Sequence, residues 1–167
     1  GNGETQLLGN TLACACEFMH WGFWAGAADE ADQPDNWMSD VGGFFAGVPT
    51  PDIDMPLSGV ATFNGNAVAS MAVGDASPSF AQGAFELQVN FGNGISAGTM
   101  NLADQNFDIL GNHSPGNSFL TVDYSKHAQF VGAGIGRFFG PAANNVGVTI
   151  DINGGGIKAG GVAVGER

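Results

Sequence analysis

Between Phe85 and Phe91 the side chains alternate without a break. Phe85, Leu87, Val89 and Phe91 are apolar, whereas Glu86, Gln88 and Asn90 are polar. A period of two puts one set on each face of an extended chain, so the segment reads as a half-buried antiparallel strand. Val148–Ile152 repeats the pattern, and weaker versions run through Val60–Phe63, Val68–Val73, Ile95–Leu102, Phe107–Leu110, Phe119–Tyr124, Gln129–Phe138 and Ile157–Val164. Turn chemistry separates them. Asn64-Gly-Asn66 and Asn93-Gly94 sit at hairpin spacing, where Asn-Gly favours a two-residue turn because both residues tolerate positive φ. Asn112–Asn117 and Asn153–Gly156 read as longer loops. Strands recurring at this spacing describe a meander, and eight or nine of them close a small barrel without leaving sheet edges. The expected fold is all-β: a single eight-stranded (8–9) antiparallel up-and-down β-barrel.

Composition agrees. Of 167 residues 28 are Gly and 7 are Pro, while 44% are hydrophobic. This supports a packed core and falls below the Gly and Pro content of a low-complexity chain. The longest apolar runs, Ala13–Cys16 and Val41–Val48, fall far short of a membrane-spanning helix, so no membrane insertion is expected. Sixteen acidic residues face four cations, Lys126, Arg137, Lys158 and Arg167, for a net charge of −12. With no basic cluster to neutralise phosphates, no nucleic-acid partner is expected.

The first fifty residues break the rhythm. Residues 1–11 read as an N-terminal extension, and residues 12–167 as one barrel domain. Within it, 12–56 comprises an N-terminal strand, an acidic loop and a Pro-rich crossing, and 57–167 is the meander. Leu12–Trp24 is a long strand candidate, followed by the acidic loop Ala25–Asn36. A short helical turn is expected near residues 37–45, with Asn36 as its N-cap. Val48–Pro56 then carries three prolines in nine residues and reads as an extended crossing.

Few residues suggest chemistry. Cys14 and Cys16 lie i and i+2, so on a strand they share a face with Cα atoms roughly 6.5 Å apart, the upper edge of disulfide geometry. A strained bridge, two buried thiols and a shared metal all fit that spacing. His20 lies on the same face, but six residues of strand span about 20 Å, too far for one ion. His20, His113 and His127 are the haem or metal candidates, with haem, Ca or Zn as alternatives to a reading without cofactor. The carboxylates at 29, 30, 32 and 35 lack the spacing and central Gly of a calcium loop. No catalytic motif is present, so an enzyme is not expected. Met19, Trp21, Phe23 and Trp24 crowd large apolar groups onto one strand, which either a neighbouring segment covers or a partner contacts.

Several segments taken together resemble a known family. Phe18-Met-His-Trp-Gly-Phe-Trp24, Phe45-Ala-Gly-Val-Pro-Thr50 and Gly59-Val-Ala-Thr-Phe-Asn-Gly65 occur in this order. They precede Gly136-Arg-Phe-Phe-Gly-Pro-Ala-Ala143, Val146-Gly-Val-Thr-Ile150 and Ala159-Gly-Gly-Val162. Over residues 12–167 the chain resembles the C-terminal β-barrel domain of transferrin-binding-protein-like bacterial surface and secreted proteins. The resemblance implies an eight-stranded barrel displayed at or beyond the outer membrane, with a turn at Gly140-Pro141 between two late strands. Gly147-Val148 stands where family members commonly have Gly-Gly, and no binding residue carries over. The resulting expectation is a non-enzymatic extracellular or cell-surface binding or adhesion module, processed from a larger secreted protein. It engages a protein partner or assembles with itself. A structural subunit of a filament or coat, and a haem or metal carrier, are the alternatives.

Overall fold

The structure of the protein, a computed structural model, describes residues 16–28 and 38–167, including the side chains of all of these except 24–28 and 38–41. A hairpin of β1 (Met19–Ala28) and β2 (Met38–Gly47) comes first. Eight further strands follow: β3 (Val60–Val73), β4 (Ser79–Asn90), β5 (Ile95–Leu102), β6 (Gln105–Asn112), β7 (Phe119–Lys126), β8 (Gln129–Phe139), β9 (Asn145–Gly154) and β10 (Ile157–Glu166). Each of these pairs antiparallel with the next, and β10 pairs with β3, which closes the barrel. The all-β, eight-stranded up-and-down barrel expected from the alternation is therefore observed.

Alternation explains the core. In β4, Phe85, Leu87 and Val89 point inward while Glu86 and Gln88 face out. The interior is filled by large side chains, including Phe63, Phe85, Phe91, Phe107, Tyr124, Phe138 and Met100, all essentially without solvent contact. Tyr124 spans from β7 to donate its hydroxyl to the Thr149 carbonyl of β9 at 2.7 Å. Its complete burial holds the phenol far above its ordinary pKa, so it stays neutral.

Three local expectations are corrected. Val60–Phe63 and Val68–Val73 are one strand, because residues 64–66 pair with β4 on one side and β10 on the other instead of turning. An Asn-Gly pair makes a hairpin only when its flanking runs bond to each other. Gly65 instead allows close approach: a Cβ there would sit 1.9 Å from the Val164 carbonyl oxygen. The helical turn expected near 37–45 is strand β2 from Met38 onward, and the short 3-10 turn lies at Asp52–Asp54. Gly42 and Gly43 weaken a helix there, and pairing with β1 satisfies the same backbone groups. Finally, the N-terminal strand starts at Met19, not Leu12, and runs on through Ala28, into the stretch expected to be acidic loop. Residues 12–15 and 29–37 lie outside the described residues.

The hairpin is not part of the barrel but lies against its outer wall. Met19, Trp21 and Phe23 form a second core with Val68, Val162, Val164 and Phe139, joined by Cys16, Phe18 and Phe45. Those valines lie on outward-facing positions of β3 and β10, so the hairpin covers what would otherwise be exposed apolar wall. The fit is close: a Cβ on Gly43 would lie 2.7 Å from the Gly161 carbonyl carbon. After β2 the chain is pinned to Phe18, just ahead of β1, and to the end of β8. Val48 N donates to Phe18 O at 3.1 Å, Gly140 N to Val48 O at 3.0 Å and Thr50 N to Phe138 O at 3.0 Å. The Pro-rich crossing continues over that end, where Met55 joins the barrel core.

Because Trp21 is held between hairpin and barrel, Trp21→Ala should cost about 3–5 kcal/mol of unfolding free energy. Denaturant titration followed by fluorescence checks this, and the far-ultraviolet spectrum at low denaturant should remain that of the barrel.

Candidate functional site

The residues singled out from the sequence do not converge. Cys16 is half-buried beside the hairpin core, and Cys14 lies outside the described residues. Met19, Trp21 and Phe23 are 3%, 6% and 6% exposed, their surface taken up by the protein's own barrel and not offered to a partner. Trp21 stacks edge-on to Phe23 at 6.3 Å, and Phe23 to Phe80 of β4 at 5.9 Å. The side chain of Trp24 is outside the described residues. His20 is exposed on the other face of β1, opposite Ala46. His113 follows β6, while His127 sits in the two-residue turn between β7 and β8, at the opposite end of the barrel. Among the described residues no three metal-binding side chains form a group.

His113 is the exception to surface placement. Its ring is wedged between Phe91 and Phe138, with centroids 5.8 and 5.6 Å away. Its backbone N–H is tied to the Gly94 carbonyl at 2.8 Å, which holds the β6–β7 loop against the β4–β5 turn. Neither ring nitrogen has a hydrogen-bond partner. Burial pushes the imidazole pKa below its ordinary value of 6.5, and the neighbouring Gly94 carbonyl offsets only part of this.

The surface beside His113 was not visible as a site in the sequence. Phe119 and Arg137 are cross-strand partners on the outer wall of β7 and β8, and Thr121 pairs with Ile135 beside them. Phe119 is 54% exposed and Ile135 61%. The Arg137 guanidinium carbon stands 4.2 Å from the centre of the Phe119 ring, a cation–π contact. A groove of about 300 Å³ opens between this wall and the end of the hairpin, with Phe45, Gly47 and Pro49 on one side and Phe119, Ile135 and Arg137 on the other. Across Phe119 a second, shallower hollow of about 400 Å³ is lined by Asn112, His113, Ser114, Asn117 and Thr121. One signal did exist. In Phe119–Tyr124 the residues 120, 122 and 124 are the inward set, so Phe119 is a large aromatic on the polar phase, ahead of Thr121 and Asp123. The arrangement offers an aromatic platform, apolar walls and a cation, and among the described residues it shows no hydrogen-bonded pair of acid, base or nucleophile.

The buried His113 yields a pH prediction. In the folded protein the ring resists protonation, whereas in the unfolded chain it takes a proton near pH 6.5. Protons therefore favour the unfolded state, and stability is present above that pH and lost as pH falls below it. The contribution is at most about 1.4 kcal/mol per pH unit for one group. Urea unfolding at pH 7.5 and 5.5 should show the loss, and His113→Phe should flatten it.

No family model and no curated protein sequence matches the chain. Solved structures do. Transferrin binding protein B from Haemophilus parasuis superposes with a TM-score of 0.67 at 19% identity, covering 93% of this chain and 33% of that one. Intact Ap-TbpB, comprising N and C lobes, gives a TM-score of 0.69 at 18% identity over 99% of this chain and 38% of that one. The haemoglobin receptor HpuA from Kingella denitrificans, in complex with human haemoglobin, gives 0.58 at 20% identity, covering 97% of this chain and 58% of the receptor. The chain thus spans roughly a third of the length of these two transferrin-binding proteins. At these identities the likeness is one of fold: the chain folds like a barrel domain of transferrin binding protein B.

Proposed function

We propose that this domain is a non-enzymatic protein-binding module of a bacterial cell surface, and that its contact surface is centred on Phe119. The observation that carries the reading is the exposed Phe119–Ile135 wall with Arg137 stacked on it. Binding surfaces concentrate their energy in a few aromatic and Arg anchors set in a wall that excludes water. A large aromatic left on the polar phase of a strand has no role in the core. The fold neighbours support the same class: one is named for binding transferrin, and another is a haemoglobin receptor seen with human haemoglobin. Adhesion, and release from a larger secreted polypeptide, extend this reading. An extracellular setting also fits a Cys14–Cys16 bridge, since such bonds persist in oxidising compartments.

Two measurements test this. The immobilised domain, exposed to human transferrin and to haemoglobin, should bind at least one of them saturably. Phe119→Ala should weaken that binding by roughly tenfold or more while leaving thermal stability unchanged. No binding to either, or equal binding by the variant, removes the proposal. For the bridge, the intact mass under non-reducing conditions should be two hydrogens below the sequence mass, and both cysteines should resist alkylation until reduced. Ready alkylation of both without reductant would refute it.

A further inference from the structure

Arg137 is chemically out of place. In a chain of net charge −12 it has no ion pair among the described residues, and its Nε is buried without an acceptor. The other cations are accounted for: Lys126 donates to the Gln105 side chain, Arg167 to Asn144 at 3.3 Å, and Lys158 stands exposed on β10. What Arg137 does have is the Phe119 ring, 4.2 Å from its guanidinium carbon, and a place beside that ring in the lining of the groove. A guanidinium partly withdrawn from water and lacking an anion attracts a carboxylate strongly, and its planar fork accepts one through two parallel bonds.

The walls narrow the ligand further. Phe45, Pro49, Phe119 and Ile135 are apolar, and about 300 Å³ is the lower end of the range for ligand pockets, room for one large side chain and little more. A small inorganic anion would leave those walls unfilled. An Asp or Glu within a chain would carry its charge on one Cα and leave the apolar group to a neighbouring residue. A C-terminal apolar residue carries both on the same Cα. We propose that the groove between Phe45–Gly47 and Phe119–Arg137 binds the C-terminal carboxylate of an extended peptide ending in an apolar residue, with Arg137 as the anion anchor. The proposal rests on the protein-binding reading above and specifies the part of the partner that is recognised.

Calorimetric titration with acetyl-Gly-Ser-Val-Phe as the free acid, and with the same peptide as its C-terminal amide, tests this on the unmodified protein. The acid should bind at least tenfold more tightly. Arg137→Gln should abolish the difference. Arg137→Lys should restore only part of it, because an ammonium lacks the fork. Equal binding of acid and amide, or no measurable binding of either at millimolar peptide, overturns the inference without needing any variant to fold. The two proposals fail separately. Capture of transferrin or haemoglobin through Phe119, with acid and amide bound alike, sinks this inference and leaves the binding module standing. Discrimination between acid and amide with no capture of either protein does the reverse.

Discussion

The packing of Phe138 is the contact on which the barrel end carrying the β6–β7 loop depends. Its ring meets Phe63 at 5.7 Å, Phe91 at 5.6 Å and His113 at 5.6 Å, so four strands' worth of structure converge on one side chain. Its backbone works too: the N–H donates to Ser118 O at 2.9 Å, and the carbonyl accepts from Thr50 at 3.0 Å. The neighbouring residues point the other way. Phe139 faces out into the hairpin core, 5.7 Å from Phe45, and Arg137 faces out into the groove. Gly140 then turns with φ of 75°, tight against the Phe18 ring. Four consecutive residues thereby tie together the barrel interior, the hairpin, the crossing segment and the candidate binding surface.

Closure of the barrel and docking of the hairpin solve different problems. Closing β10 onto β3 pairs the edges that a sheet would otherwise expose, and eight strands leave an interior that side chains alone fill. A ninth strand has no edge to join. The N-terminal strands therefore pair with each other and bury their apolar face on the outside, over Val68, Val162 and Val164. Each large side chain so covered contributes about 1.5–3 kcal/mol. Where the hairpin ends, the apolar wall continues uncovered, and that boundary is the groove.

How much was legible depended on whether the signal was local. The unbroken alternation of Phe85–Phe91 reports its own burial, and Asn93-Gly94 carries turn chemistry in its own residues; both are found where expected, as is the turn at Gly140-Pro141 that the family resemblance implied. The breaks at Ala103-Asp104 and His127-Ala128 showed only as gaps between strands, with no turn signal of their own, since both residues of each adopt positive φ without glycine. Strand pairing on either side imposes that conformation, whereas Asp and His merely tolerate it. Asn64-Gly65 failed in the opposite sense: the turn signal is real, but two neighbouring strands outcompete it. Of the candidate residues, only His113 proved to be placed against the surface now proposed to bind.

The period of two, the inward set of large apolar residues and the Asn/Gly punctuation determined by themselves that this chain is a closed antiparallel barrel. Those features act between residues a few positions apart, where alternation and φ preference decide. Tertiary structure decided the rest. It alone determined that the aromatic strand is buried against the barrel's own wall, that His20, His113 and His127 lie apart, and that Phe119 and Arg137, 18 positions apart in the chain, stand side by side. Those outcomes are contacts between distant segments, set by which faces remain uncovered after closure, and no local pattern records them.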